Sequence, residues 1–151
     1  MNPMGDSEVR DVAEFMLKFG HARPHWLRKP GHVTKAKLLE RLAMMREELR
    51  EFEDAVESQS LPDLADALVD LVYFAKGTAN LMGLPWQSLW DEVHKANMAK
   101  ERGTTKRGFK VDAVKPEGWQ PPDLLRILHI FGYVEAAANR EEVYRGDHEL
   151  L

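Results

Sequence analysis

Apolar residues recur at helical rather than strand spacing along most of the chain. Val9, Val12, Phe15, Met16 and Phe19 mark one face of a first helix. Ser7 is its expected cap, Phe19 its approximate end and Gly20 its stop. The next stretch, GHARPHWLRKPGHV, carries two prolines and two glycines. It predicts an irregular connection that crosses a surface or forms part of a pocket. From Thr34 the pattern resumes: Leu38, Leu42, Met45, Leu49, Phe52 and Val56 alternate by four and three residues, one sustained seam along a second helix.

SQSLPD ends that helix and begins the next, with Ser60 as N-cap, Pro62 in the first turn and Asp63 three residues after the cap. Two long helices joined by so short a turn must lie antiparallel. The third helix is expected to reach about Met82, with Gly83 as its stop. Pro85 then opens a fourth carrying WQSLWDEVHKANMAKERG. TTKRGFKVDAVKPEGWQPP follows, basic and rich in Gly and Pro. From Asp123 to about Tyr144 the pattern is helical again, with a break expected at Gly132. No strand pattern or internal repeat stands out. The expected fold class is all-α, an antiparallel bundle of about five helices. Residues 1–151 form one domain, with 103–120 an irregular basic loop and 121–151 a C-terminal helical extension.

Composition narrows this picture without redirecting it. A chain of 151 residues, 44% hydrophobic and 30% charged, has the length and make-up of one globular domain. No apolar run approaches the ~18 residues of a membrane span. MNPMGDSEVRDV has no basic segment followed by an apolar one, so no secretory signal is read there. With no cysteine there is neither a disulfide framework nor a thiolate metal site. The expectation is a cytoplasmic protein without a membrane partner.

Charge changes the picture more, because it is unevenly spread. Although the formal net charge is only -4, acids crowd Glu47 to Asp70, while Lys95, Lys100, Arg102, Lys106, Arg107, Lys110 and Lys115 crowd a later segment. The first half can hold cations and the second phosphates, although a basic stretch on its own is more often a solvated surface. The acidic balance and the lack of a reader motif argue against a nucleic-acid polymer as partner.

Glu47 to Ala75 contains nine carboxylates and, after Arg50, no Lys, Arg or His. Glu47 and Glu51 are four apart and Glu48 and Glu51 three apart, so the three share one strip of the second helix. Such a strip alone is usually a solvated face. The third helix shifts the balance. From Leu64 to Ala75 every residue is apolar or aromatic except Asp66 and Asp70, a pattern of buried helices. Burying an aspartate costs several kcal/mol unless it is paired or bound to metal. Two like charges about 4 Å apart repel by roughly 4 kcal/mol at an effective dielectric near 20. An antiparallel hairpin can set the two acidic strips around one small volume. An all-oxygen cluster of that kind suits Mg²⁺ or Mn²⁺ rather than structural zinc. The alternative is that Asp66 and Asp70 pair with Lys or Arg from a distant helix. A carboxylate-held divalent cation commonly takes phosphate as a further ligand, and one spare carboxylate then suffices as general base. Chemistry alone therefore suggests phosphoanhydride hydrolysis. No Walker-type glycine-rich loop is present.

With these residues laid out, the chain resembles the all-α nucleoside triphosphate pyrophosphohydrolases, the MazG-like and phosphoribosyl-ATP-pyrophosphohydrolase-like superfamily. The resemblance rests on four pieces in order: EELRE as E-E-x-x-E at Glu47, Glu48 and Glu51, then DALVDLVYFAKGTANLMGL, VHKANMAK and VKPEGWQPPD. It implies a helical bundle that forms a homodimer or homotetramer. It also implies cleavage between the α and β phosphates of a nucleotide substrate with Mg²⁺ as cofactor, Mn²⁺ being able to substitute. On the positions that match, Glu47, Glu51 and Asp70 hold metal, and Glu48 is a ligand or the water-activating base. Asn97 and Lys100 contact the nucleotide, Lys115 reaches phosphate from the loop, and Tyr73 lines the base or sugar pocket. Helix capping, a solvated charge and a core-edge tyrosine are the plain alternatives for those four. The family's second motif is commonly E-x-x-D, whereas here Ala67 stands at the Glu position and Asp66 one residue earlier. A one-residue shift turns a helical side chain by about 100°, yet Asp66 remains four before Asp70, so it serves as a ligand in a variant geometry, or the metal count is lower, or the activity is weak.

Three functions follow. The first is a metal-dependent nucleoside triphosphate pyrophosphohydrolase that removes unwanted nucleotides. The second keeps the fold but takes phosphoribosyl-ATP as substrate. The third is a non-catalytic helical nucleotide-binding or dimerising protein, motivated by Ala67. Of the four tryptophans, Trp86 and Trp90 lie four apart on one helix face and read as packing residues. Trp26 lies in the irregular connection, and Trp119, beside Gly118, is the candidate pocket wall.

Overall fold

The computed structural model describes residues 7–21, 29–104, 108–109 and 111–135. Helix α1 is Ser7–Lys18, α2 Lys35–Ser58, α3 Leu61–Leu81, α4 Trp86–Met98 and α5 Leu124–Ile130. Two short strands, β1 (Glu101–Gly103) and β2 (Asp112–Val114), pair antiparallel between α4 and α5, with Arg102 opposite Ala113. The protein is an all-α helical bundle with this one small ribbon.

Local chemistry sets the helix ends. The Thr34 hydroxyl accepts the Lys37 N–H at 3.2 Å to open α2. Ser60 accepts the Asp63 N–H at 3.4 Å to open α3. At the end of α3, Leu84 N–H donates to Ala79 O at 2.9 Å and Gly83 N–H to Asn80 O at 3.0 Å. That pair of bonds requires a left-handed residue, and Gly83 supplies it at φ 63°. Between α2 and α3 the same closure places Gln59 at φ 53°, a side-chain-bearing residue in glycine's region.

The most extensive packing is between α2 and α3, with α1 laid on α3 and α5 on α4. A small apolar core of Val12, Met16 and Leu81, flanked by Val33 and Tyr73, joins α1 to the C-terminal half of α3. Buried Lys76 of α3 pairs with Glu8 of α1 and stands 6.0 Å from the Trp86 ring.

Several expectations change. α2 turns Glu48 and Ala55 inward, while Leu42, Leu49 and Val56 of the regular seam remain exposed. α3 is not enclosed either: Leu61, Leu68, Val69 and Val72 face outward, and the side it buries is made of Ala67, Lys76, Gly77, Ala79, Asn80 and Leu81. The pattern predicted apolar surface correctly but not its covering, because spacing fixes a face and not what lies across from it. α1 ends at Lys18 and includes Ser7 as a helical residue. α4 stops at Met98, where 101–103 turn into a strand. The segment expected to be irregular contains β2, whose three residues are too few to show a period of two. α5 ends just before Gly132, as expected. The expected helix beyond residue 135, together with Trp26, Lys106, Arg107 and Lys110, lies outside the described residues.

Candidate functional site

Glu48 is the centre of the acidic hairpin. It is 9% exposed, and its Oε2 is buried without a hydrogen-bond partner. Burial pushes its carboxyl above the ordinary carboxylate range, and the charges of Glu51, Asp70, Glu47 and Asp66 push it further, in that order. The hairpin therefore gathers all five predicted carboxylates into one electrostatic neighbourhood. Glu47, Glu51 and Asp66 are exposed and Asp70 is half-buried.

Three of the basic residues are engaged elsewhere. Lys37 bonds Glu40 at 2.6 Å, Arg126 bonds Glu92 at 3.3 Å, and Lys76 pairs with Glu8. The distant Lys or Arg that was the alternative partner for Asp66 and Asp70 is not found among the described residues. No three acidic or histidine side chains among those residues converge on a common ligating point. The donor set nonetheless fits a hard divalent cation. It is all carboxylate oxygen, and the orphaned Oε2 needs a proton or a cation to offset its burial.

Ala67 is 2% exposed and points into the hairpin. It occupies an inward position where a glutamate would add a sixth carboxylate. Asp66, one residue earlier, stays outside, so its charge reaches Glu48 while its side chain does not take Ala67's place.

Tyr73 lies three residues past Asp70 on α3, its ring edge-on to Phe15 with centroids 5.4 Å apart. Burial raises its phenol pKa, with Asp11, Glu14 and Asp70 adding to the shift. It lines a cavity of about 280 Å³ that also reaches Arg41, Phe74 and Gly77. Sequence spacing missed these three. The signal was present: Arg41 precedes Glu48 by seven residues and Gly77 follows Asp70 by seven, two helical turns in each case.

The remaining candidates form a second group at the far end of α4. Lys100 Nζ donates to Asn97 Oδ1 at 2.8 Å, and Trp119 Nε1 donates to the Ala96 carbonyl at 2.8 Å. The Lys115 and Lys100 ammoniums stand 4.6 and 5.6 Å from the Trp119 ring. Asn97, Lys100, Lys115 and Trp119 thus form one basic, aromatic centre. It sits on α4, whose main packing is with α5, and not on the acidic hairpin. Trp90, expected to pack in the core or at an interface, is largely exposed in the single chain, so it is not a core residue.

A family model described as phosphoribosyl-ATP pyrophosphohydrolase matches residues 12–97, which is more than half the chain and spans α1 into the last turn of α4. No curated protein matches the chain significantly.

Proposed function

The chain belongs to the phosphoribosyl-ATP pyrophosphohydrolase family of MazG-like all-α enzymes, hydrolases of phosphoanhydride bonds, and from that premise we propose a divalent-metal-dependent pyrophosphohydrolase acting on nucleoside triphosphates. The observation that carries the metal dependence is Glu48, a buried carboxylate with an unpartnered oxygen amid four more acids and with no Lys or Arg paired to it among the described residues. Glu47, Glu48, Glu51 and Asp70 would hold Mg²⁺, or Mn²⁺ in its place, with Asp66 at the margin. The cation, when bound, offsets charge on the anhydride oxygens and lowers the pKa of a coordinated water. Glu48 takes the proton from water as its oxygen bonds to the α-phosphorus. The bond to the bridging oxygen breaks, and pyrophosphate leaves with that oxygen, giving nucleoside monophosphate.

Lys100 and Lys115 would be the phosphate contacts, offered from the basic centre at the far end of α4, with Asn97 holding Lys100 and the Trp119 ring beside both ammoniums as a pocket wall. We also propose a homodimer or homotetramer, because α2 and α3 expose a long apolar face. Removal of unwanted nucleotides in the cytoplasm is the role this chemistry suits. The family match equally supports a second substrate, phosphoribosyl-ATP, which carries the same anhydride.

The test is pyrophosphate release from a panel of nucleoside triphosphates with Mg²⁺, Mn²⁺ or EDTA, with the nucleotide product identified by chromatography. Metal-dependent monophosphate and pyrophosphate are expected. Diphosphate and orthophosphate would exclude α–β cleavage. Turnover of phosphoribosyl-ATP alone would select the second substrate, and binding without turnover would make Ala67 the mark of a non-catalytic site.

A further inference from the structure

The cavity beside Tyr73 has aromatic walls from Phe15, Tyr73 and Phe74, and Arg41 lines it. The Arg41 guanidinium is held from several sides. Its Nε donates to Thr78 Oγ1 at 3.1 Å and its Nη2 to the Phe74 carbonyl at 3.0 Å. Thr78 is itself fixed by donating to that carbonyl at 2.8 Å. The guanidinium lies 5.0 Å from the Phe74 ring centroid, and Nη1 makes a weak contact with Met44 sulfur at 3.5 Å. Of its five N–H groups, one on each terminal nitrogen remains for a ligand. No carboxylate among the described residues pairs with it, since neighbouring Glu40 is taken by Lys37. Partial burial draws its pKa down, and it stays charged.

Arg41 and Glu48 lie two turns apart on α2, about 10 Å along the axis, and Gly77 and Asp70 are spaced alike on α3. Phosphates at the carboxylates therefore place the nucleoside two turns away, between the aromatic walls. We propose that this cavity is the base pocket and that Arg41 is its specificity-determining residue, favouring bases that offer two adjacent acceptors. Guanine and hypoxanthine present O6 and N7 to such a fork. Adenine presents an amino donor where a donor already stands. Gly77 is part of the device: a Cβ there would lie 2.8 Å from Arg41 Nη2, so glycine leaves the fork its place. The inference rests on the pyrophosphohydrolase reading, which positions the phosphates.

The experiment measures equilibrium binding of GMP, IMP and AMP to the metal-free full chain, together with kcat/KM for GTP, ITP and ATP in Mg²⁺. Wild type is compared with Arg41→Lys and Gly77→Ala. Wild type is expected to favour GMP and IMP over AMP by on the order of 10- to 100-fold. Both variants should bring that ratio close to one. Gly77→Ala keeps the guanidinium and raises helix propensity, so it separates a displaced fork from an unfolded chain. Equal binding of the three by wild type, no binding of any, or an unchanged ratio in both variants overturns the proposal. Selective binding without cleavage of any triphosphate would sink the hydrolase reading and leave the pocket standing. Cleavage of all three triphosphates at equal kcat/KM would do the reverse.

Discussion

Burial and four neighbouring carboxylates make Glu48 take up a proton more readily than a free carboxyl does. Its pKa in the folded chain is raised above the ordinary value of 4.5, so between those two values the folded chain binds more protons than the unfolded one. The stability it contributes is fully present below the unfolded pKa and is lost as pH rises through the folded one. Urea midpoints of EDTA-treated protein should therefore fall from pH 4.5 upward, and Glu48→Gln should flatten that slope. The same variant should lower kcat by about 10²- to 10⁴-fold with nucleotide binding retained, the loss expected of a general base. Ala67 offers the converse. Ala67→Glu adds a buried carboxylate beside Glu48, at a cost of several kcal/mol in the metal-free chain. Melting curves should show a lower Tm in EDTA and a larger rise with Mn²⁺ than wild type shows.

Helix ends, more than helix faces, were legible before the structure. Thr34, Ser60, Gly20 and Gly83 act through hydrogen bonds within a few residues, so their roles can be read from the neighbouring letters. E-E-x-x-E was legible for the same reason, since Glu47, Glu48 and Glu51 owe their shared strip to helical geometry alone. Which of the three turns inward was not, because that depends on how α2 rolls against α3. The roll buries Glu48 and leaves Leu49 exposed. Arg41 and Gly77 escaped notice because each gains meaning only from the other helix. One element-level prediction concerns Gln59, the non-glycine residue at positive φ among the described residues. Gln59→Gly should relieve the left-handed strain and stabilise the hairpin by about 1 kcal/mol, read as a raised denaturation midpoint.

At the scale of the molecule, no large side chain among the described residues is fully buried, while Leu68, Val69 and Val72 form an outward apolar row on α3. A monomer rarely keeps so much contiguous apolar surface in water. A stable dimer covers about 800 Å² on each partner, and this row would lie within such a face. Val69 is 61% exposed in the lone chain, so Val69→Asp should cost a monomer less than about 0.5 kcal/mol. In an assembly the same change buries a charge. Sedimentation velocity should show wild type as a dimer or larger and Val69→Asp shifted toward monomer, with a Tm that no longer depends on concentration.

The indole of Trp119 has a further use. Its N–H is anchored on a carbonyl and two ammonium groups flank its ring, so the excited state sits in a local electric field set by Lys100 and Lys115. A polyanion that settles on those lysines changes that field and therefore the colour of the emitted light. With Trp119→Phe as the blank for the other three indoles, a shift in emission on adding a nucleotide would be an optical gauge of phosphate arrival at this centre. That gauge needs no label and works before any bond is cut.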